Sequence, residues 1–270
     1  MTPIDQQTIL ITGATDGHGK GLAVELVRCG ATVLVHGRDQ ARIDRTLDEL
    51  GREARSATVR GYRADFASLA EVRALAADLL AREPRLDALV SNAGIGTRVP
   101  EGGRMTSRDG HELRFAVNYL APFLLTRLLL PRLRESAPAR IVHVSSAGQQ
   151  AIDFDDVMLE RDYSGVRAYC QSKLAQIMFA IDLAEELAGT GVTTNALHPA
   201  TYMPTKIVPS PISSLDDGVQ ATLRLVAEPS LDEVSGRYFD QTRERRADPQ
   251  AYDAGARRKL RALSEQLSGL

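Results

Sequence analysis

Two patterns of apolar and polar positions follow one another along this chain. Short β-branched and apolar runs predict strands, and longer segments in which apolar residues return every three or four positions predict helices. Strands and helices that alternate in this way form βαβ units, which build a parallel sheet with right-handed crossovers. The runs that predict strands are 7–12, 31–36, 56–62, 86–90, 140–146, 192–197 and 236–239.

The pattern therefore predicts one α/β domain over residues 1–270. We expect a doubly wound, mostly parallel sheet of about seven strands with helices on both faces. The longest predicted helices are 110–133 and 167–187. Ligands bind beyond the carboxyl ends of the strands in such a sheet, so polar residues at those ends are the candidates for chemistry.

Two segments interrupt the pattern close to those ends. Residues 147–165 form an acidic, irregular insertion, and about 200–215 hold three prolines and cannot be helical throughout. We predict that both segments shape a substrate pocket, and that 204–211 is a mobile lid that orders when a ligand binds. The insertion lacks the spacing of a calcium-binding loop, so we predict a solvated segment there and no cation site.

A glycine-rich turn follows the first predicted strand and leads into a helical pattern. Gly13, Gly17 and Gly19 allow backbone N–H groups and the positive end of a helix to approach a phosphate. Their spacing differs from the commoner Gly-x-Gly-x-x-Gly turn and from the triphosphate-binding loop. By itself this turn is compatible with a nucleotide site or with an ordinary connection between a strand and a helix.

Tyr169 and Lys173 lie four positions apart on a predicted helix, so their side chains share one face. A nearby ammonium group lowers the pKa of a tyrosine towards the range of general acid–base catalysis. Ser146, at the end of the fifth predicted strand, is placed to hydrogen-bond a carbonyl oxygen on which negative charge develops. These residues predict proton transfer to a ketone oxygen, and a structural Tyr–Lys pair is the alternative.

Taken together, the motifs resemble the short-chain dehydrogenases/reductases over nearly the full chain, and within that family the retinol-dehydrogenase-like branch. The residues that carry the resemblance are 12–19, Asp65, 91–94, 109–126, Ser146, Tyr169, Lys173, His198, Pro199 and 236–239. The resemblance implies a Rossmann fold that binds a nicotinamide dinucleotide.

The resemblance also implies a role for each matching residue. Tyr169 is expected to be the general acid/base, and Lys173 to lower its pKa and bind the nicotinamide ribose. Ser146 is expected to orient the substrate oxygen, and Asn118 to hold a water that links Lys173 to solvent. The residues expected along the cofactor are Gly13, Thr15, Asp16, Gly17, His18, Gly19, Arg38, Asp65, Phe66, Asn92, Ala93, Gly94, Tyr169, Lys173, Pro199, Thr201 and Thr205.

The sequence departs from the family pattern at two of these places. His18 stands where the family usually has Ile or Leu, and we interpret it as a substitution at a helix start without a catalytic role. The family's Pro-Gly after the sixth strand is Pro199-Ala200 here. The nicotinamide amide is therefore expected to contact either Thr201 or Thr205.

The choice of cofactor depends on the end of the second predicted strand. An acidic residue there accepts the ribose 2′-hydroxyl of NAD, whereas an arginine accommodates the 2′-phosphate of NADP. Arg38 occupies this place, and a guanidinium binds a phosphate through two hydrogen bonds. We therefore predict NADP(H), and NAD(H) through the adjacent Asp39 is the alternative.

Composition limits the other possibilities. The chain is 43% hydrophobic and 25% charged with a net charge of −2, which gives no electrostatic reason to expect nucleic acid as a partner. Its apolar runs are too short to span a bilayer. Cys29 and Cys170 fall in helical patterns and are expected to be buried thiols, so a cytoplasmic location is predicted. No metal site is expected, because no histidine has a partner at ligand spacing.

The sequence thus predicts an NADP(H)-dependent oxidoreductase that transfers a hydride between nicotinamide and the carbonyl or secondary alcohol of an apolar small molecule. The alternatives are a reductase of carbon–carbon double bonds and a non-catalytic NADP-binding sensor or scaffold. The family often dimerises through the helices that here carry Asn118 and Tyr169. A homodimer, a homotetramer and a monomer are all compatible with the sequence.

Overall fold

A computed structural model describes residues 2–54, 57–98, 103–201, 203 and 213–270. These residues form one sheet with the strand order β3-β2-β1-β4-β5-β6-β7-β8. All neighbouring strands are parallel except β7 and β8. The strands are β1 (Thr8–Ile11), β2 (Thr32–Gly37), β3 (Val59–Arg63), β4 (Ala88–Ser91), β5 (Ala139–Val144), β6 (Val192–His198), β7 (Tyr238–Asp240) and β8 (Arg243–Arg245).

Helices cover both faces of this sheet. They are α1 (Gly17–Arg28), α2 (Gln40–Glu53), α3 (Leu69–Arg82), α4 (Ala121–Glu135), α5 (Gly165–Glu186), α6 (Leu215–Ala227) and α7 (Ala254–Ser268). A π-helical turn, Phe115–Leu120, runs directly into α4. Short 3₁₀ turns lie at Ile4–Gln6, Pro229–Leu231 and Pro249–Tyr252. The predicted doubly wound α/β fold is confirmed, with helices on both faces.

The alternation of buried side chains along the strands explains this arrangement. Leu10 and Leu34 point to the face covered by α3, α4 and α5, whereas Ile9 and Val33 point to the face covered by α1 and α6. Successive residues of a strand face opposite sides of the sheet, so a strand that is apolar at every position is buried on both sides. The carboxyl ends of the parallel strands therefore meet at one edge of the sheet, which stays open for a ligand.

The structure differs from the sequence-based prediction in its details. The sheet has an eighth strand, β8, whose three residues are exposed and carry no apolar pattern. β3 begins at Val59, three residues later than predicted. Cys29 is exposed, against expectation, because it caps the C-terminal end of α1 and does not lie on the buried face of the helix. Such boundaries depend on hydrogen bonds to neighbouring strands and on caps, which periodicity does not report.

The insertion 147–165 is less solvated than predicted. Ile152 and Leu159 are buried in the core, and Leu159 adopts a φ of 49°. Gln250 fixes the insertion to the C-terminal part of the chain, because its side chain accepts from Ile152 N at 2.6 Å and donates to Ile152 O at 3.0 Å. Asp156 accepts hydrogen bonds from two backbone N–H groups of its own loop. Its acidic residues stabilise turns while its apolar residues anchor the segment.

The last helix is fastened to the rest of the domain by a buried pair of hydroxyl groups. Tyr119 and Ser264 lie 2.7 Å apart, and the Ser264 hydroxyl donates to Leu260 O at 2.7 Å. The Tyr119 hydroxyl is therefore the donor to Ser264. The arrangement is asymmetric, because Ser264 has a second partner within α7.

We expect unequal effects from removing either hydroxyl. Tyr119→Phe leaves no buried polar atom unpaired and should lower the free energy of unfolding by about 1 kcal/mol. Ser264→Ala leaves the buried Tyr119 hydroxyl without an acceptor and should cost about 1–3 kcal/mol. Urea denaturation of both variants and the double variant measures this. Equal losses would contradict the assignment of donor and acceptor.

Candidate active site

The glycine turn between β1 and α1 is built so that side chains are excluded from it. Gly13 has a φ of 66°, and a Cβ added there would lie 2.9 Å from the Cα of Ala93. A Cβ at Gly19 would collide with the side-chain amide of Asn92 and with Gly13 O. Gly17 has a φ of 50° and opens α1, and Asp16 accepts from its backbone N–H. The first turn of α1 is thus a helix N-terminus of the kind that binds a phosphate.

The turn is held in place by Thr12 and Asn92. The Thr12 hydroxyl donates to Val90 O and accepts from the backbone N–H groups of Asn92 and Ala93. The Asn92 side-chain amide donates back to Thr12 O at 2.8 Å and to Gly13 O at 3.2 Å. The carboxyl ends of β1 and β4 are therefore cross-linked directly beside the glycines.

His36 supports the same turn, which the sequence did not reveal. Its Nε2 lies 3.1 Å from Ala64 O and its Nδ1 lies 3.3 Å from Gly13 N, so the tautomer with the proton on Nε2 satisfies both. Burial lowers the pKa of His36 to about 4, so it is neutral at physiological pH. Its ring stacks on Phe66 at 4.5 Å. The Phe66 ring is therefore buried, and only its backbone remains for a cofactor.

The end of β2 presents one free cation. Arg38 is exposed and, among the described residues, has no hydrogen-bond or ion-pair partner. Asp39 instead caps α2, because its carboxylate accepts from Arg42 N at 3.1 Å. Close to this end, the Cβ position of Gly37 is only 2.6 Å from Thr15. Two residues are candidates for binding the cofactor ribose or its 2′-phosphate. Arg38 is available for this contact among the described residues, whereas the carboxylate of Asp39 is already used as a helix cap.

Asp65, at the end of β3, is tied into its own loop. Its carboxylate accepts from Ala67 N at 3.0 Å and from Arg108 at 3.5 Å. After β6, Pro199 is buried and the Thr201 hydroxyl lies 3.0 Å from Nε2 of His198. Thr205 and the whole predicted lid 204–211 lie outside the described residues.

Ser146 and Tyr169 meet at the carboxyl end of β5. Burial raises the pKa of Tyr169, and the neighbouring Ser146 side chain lowers it to a smaller extent. The Ser146 hydroxyl also accepts from Gly148 N at 3.0 Å. The hydroxyl of Ser145 points elsewhere and donates to Lys173 O at 2.7 Å. The second serine of the pair therefore faces the tyrosine.

Lys173 lies one helical turn beyond Tyr169 and is buried. Its ammonium group donates to Val144 O at 2.8 Å and to Gln176 Oε1 at 3.0 Å, and lies 5.7 Å from the centre of the Tyr169 ring. Burial lowers the pKa of Lys173 to about 7. Burial is the largest influence on the pKa of each group and raises that of Tyr169, so a depression of the tyrosine pKa by Lys173 stays a prediction.

Asn118 lies in the π-helical turn next to Lys173. Its amide accepts from Ile95 N at 2.8 Å and donates to Ile95 O at 3.1 Å and to the Ser172 hydroxyl at 2.9 Å. The side chain is thereby fully engaged, so a bound water would have to use its backbone. The residue four positions later is Pro122, which has no N–H, so the carbonyl of Asn118 lacks an α-helical donor.

Gly94 allows these groups to approach one another. A Cβ at this position would lie 3.3 Å from Oδ1 of Asn118 and 3.6 Å from Nζ of Lys173. The end of β4, the π-helical turn and α5 therefore converge on one place. Two groups that the sequence did not single out, Gln176 and Ser172, complete it through their hydrogen bonds to Lys173 and Asn118.

Other parts of the described chain offer no comparable arrangement. A groove of about 390 Å³ between α5 and α7 is lined by charged side chains, among which Arg257 pairs with Glu185 and Arg261 with Asp182. Among the described residues, no three His, Cys, Asp or Glu side chains are grouped so as to hold a metal ion. None of the helices that these residues form combines the length and apolar character needed to cross a bilayer.

A parallel sheet whose glycine turn, tyrosine, lysine and serine share one edge defines a class of dinucleotide-dependent oxidoreductases. Comparison with known proteins agrees: residues 7–211 match the short chain dehydrogenase family. The chain belongs to this family, and to its retinol-dehydrogenase-like branch.

The comparisons identify relatives over nearly the whole chain. Retinol dehydrogenase 14 from Homo sapiens is 39% identical, over 98% of this chain and 87% of that protein. Retinol dehydrogenase 13 from Homo sapiens is 37% identical, over 99% of this chain and 86% of that protein. A Beutenbergia cavernae structure with bound NADP, provisionally identified as an NAD(P) dependent gluconate 5-dehydrogenase, is 26% identical, with a TM-score of 0.71 over 88% of this chain and 96% of that one.

Proposed function

We propose that this protein is an NADP(H)-dependent oxidoreductase that transfers a hydride between nicotinamide and the carbonyl or secondary alcohol of an apolar small molecule. The observation that carries the proposal is the convergence of Ser146, Tyr169 and Lys173 at the sheet edge that also bears the glycine turn. A non-catalytic sensor would need the turn but would have no use for a buried tyrosine next to a serine and a buried lysine.

The residues present fit a dinucleotide. Gly13 and Gly19 pack too closely against Ala93 and Asn92 for a Cβ, so the turn presents only backbone at these positions. Helix α1 begins there, and its first N–H groups have no partner within the helix. Thr15, Asn92 and Gly94 would line the same side, and Lys173 would hold the nicotinamide ribose. When bound, the cofactor supplies or accepts the hydride at the substrate carbon.

The chain's own residues supply the proton and the polar environment. Burial keeps the Tyr169 phenol protonated, which suits a group that donates a proton to a carbonyl oxygen. Ser146 would donate a hydrogen bond to the same oxygen, where negative charge develops during reduction. A protonated Lys173 would stabilise the phenolate that remains after the transfer.

Arg38 supports NADP(H) over NAD(H). Its guanidinium is exposed and unpaired among the described residues, whereas the carboxylate of Asp39 already caps α2. A 2′-phosphate would find an uncommitted bidentate donor at this place. The NADP bound to the Beutenbergia cavernae protein supports the same choice.

The substrate class rests on the apolar insertion and on the relatives. The insertion packs apolar side chains such as Phe154, Val157 and Met158 against the core. The relatives are called retinol dehydrogenases, and retinol is an apolar alcohol. Reduction of a carbon–carbon double bond is the competing reaction on the same fold. Cys29 and Cys170 form no disulfide, which supports the expected cytoplasmic location.

Product analysis tests this function. Purified protein is incubated with NADPH and one candidate substrate at a time, either retinal or one of a set of apolar ketones. The products are identified by mass spectrometry and NMR. We expect oxidation of NADPH with conversion of a carbonyl to an alcohol. A product that keeps its carbonyl but loses a double bond would replace carbonyl reduction by the competing reaction. NADPH binding without turnover of any compound would favour the sensor.

A further inference from the structure

His18 is buried at the junction of three elements. It is the second residue of α1, directly beside the glycine turn, and is only 6% exposed. Its Nδ1 lies 2.8 Å from Oδ1 of Asn92, and its Nε2 lies 3.0 Å from Gly218 O on α6. The sequence-based interpretation of His18 as a substitution at a helix start without a catalytic role gave no sign of these contacts, because both polar neighbours come from other parts of the chain.

Both of these neighbours are hydrogen-bond acceptors. The amide nitrogen of Asn92 donates to Thr12 O and Gly13 O, so the atom that faces His18 is the amide oxygen. Gly218 presents a carbonyl oxygen. A neutral imidazole has one N–H donor, whereas an imidazolium has two. Only the protonated ring donates to Asn92 and Gly218 at the same time.

Thr222 provides an alternative for the neutral ring. Its hydroxyl lies 3.0 Å from Nε2 of His18 and 2.9 Å from Gly218 O, and it has a single proton to donate. With a neutral ring protonated on Nδ1, this proton goes to Nε2 and the ring has no bond to α6 backbone. With a protonated ring, Thr222 donates to Gly218 O beside the ring. The same atoms thus form two hydrogen-bond patterns, one for each charge of His18.

The contact with α6 is closely packed. A Cβ at Gly218 would collide with the sulfur of Met203 and would lie 3.4 Å from Cδ2 of His18. His18 consequently lies between the glycine turn and the first turn of α6, which begins at Leu215.

We propose that His18 is a positioning residue that joins the glycine turn to α6 and takes up a proton when a dinucleotide binds at that turn. This inference rests on the proposed cofactor function. The ring does not touch the reacting atoms; it acts through Asn92 and α6. The ligand class is the pyrophosphate of a dinucleotide, whose negative charge favours a cation in the first turn of α1.

The surroundings of His18 determine whether its pKa is raised or lowered. Burial lowers the pKa of His18 by more than its hydrogen bonds to Asn92 and Gly218 raise it, and Lys173 on α5 lowers it slightly, so the ring is neutral near pH 7. The other charged groups near it are engaged: Asp16 caps Gly17, Lys20 pairs with Glu49, and Asp217 binds Ser214 N. A bound pyrophosphate raises the pKa of the ring. Affinity should therefore be greatest at low pH and fall as pH rises through the pKa of the complex.

Calorimetric titration with NADPH tests proton uptake directly. Binding is measured near pH 7 in two buffers of different ionisation enthalpy, for the wild type and for His18→Leu, which carries a residue common at this position in the family. On binding NADPH, the wild type should take up a substantial fraction of a proton more than His18→Leu does. Because the 2′-phosphate titrates equally in both, the difference reports His18 alone.

The pH dependence and the mobility of α6 give two further readouts. From pH 5 to 9 the NADPH affinity of the wild type should fall up to tenfold more than that of His18→Leu, which is the full effect of a pKa change of about one unit. Hydrogen exchange at residues 218–222 should slow when NADPH binds to the wild type but not to the variant. His18→Gln, which hydrogen-bonds without titrating, should restore protection without proton uptake.

The outcomes separate the two proposals. If the wild type binds neither NADPH nor NADH at any pH, the proposed function fails. If it binds NADPH and His18→Leu shows the same proton uptake and pH dependence, the role of His18 is overturned while the cofactor function stands. Should His18→Leu fail to fold, the comparison of His18→Gln with the wild type decides in the same way.

Discussion

Replacing Tyr169 by phenylalanine is expected to lower kcat by about 10²–10⁴-fold, the contribution typical of a positioned general acid. The phenol of Tyr169 lies next to Ser146 and near the buried ammonium group of Lys173. The substitution removes only the hydroxyl, so NADPH should bind with nearly unchanged affinity. Turnover is followed by NADPH absorbance with the best substrate of the screen, and binding by nicotinamide fluorescence.

Tyr252→Phe is the matched control for this experiment. The Tyr252 side chain is exposed, and its hydroxyl accepts from Ala247 N. This variant should retain wild-type turnover. A Tyr169→Phe protein that is as active as the control would refute the assignment of Tyr169 as the acid, and with it the proposed mechanism.

Arg38→Ala should remove the preference for NADPH over NADH. A charge-assisted hydrogen bond contributes about 1.5–3 kcal/mol, so the Kd for NADPH should rise about 10–100-fold. The Kd for NADH should change little, because it has no 2′-phosphate for Arg38 to bind. Both constants are obtained by fluorescence titration, and the NADPH constant is repeated at higher salt, where the difference between the variants should shrink.

Arg52→Ala is the control, since it removes an exposed arginine from the far end of the same helix α2. It tests whether the loss of an exposed positive charge farther from the proposed 2′-phosphate site has the same effect. If Arg38→Ala and Arg52→Ala behave alike, Arg38 has no specific contact with the 2′-phosphate. An unchanged preference in Arg38→Ala would instead return attention to NAD(H) and Asp39.

The arrangement of strands and helices could be predicted from the sequence because burial has a regular period. The run at 31–36 is apolar at most positions, as in a strand buried on both faces, and β2 lies there. The convergence of Ser146 and Tyr169 also followed, since the carboxyl ends of parallel strands share one edge. Short exposed elements such as β8 have no such pattern and could not be predicted.

The chemical state of the site could not be predicted in the same way. A Tyr–Lys spacing indicates proximity, but it does not indicate how deeply each group is buried. In the folded protein burial raises the pKa of Tyr169 and lowers the pKa of Lys173 to about 7. Desolvation depends on every atom that surrounds a group, and those atoms come from distant parts of the chain.

The same distinction holds for the two histidines beside the glycine turn. His18 and His36 have no motif that indicates a function, because their partners, Gly218 on α6 and Gly13 on the first βα turn, lie 200 and 23 positions away. The sequence by itself determined the α/β fold, the family and the edge at which the candidate residues meet, since these follow from local periodicity and from short motifs. Only the tertiary structure decided which polar atoms face one another and which charges are buried, because hydrogen bonding and desolvation arise between segments that are remote along the chain.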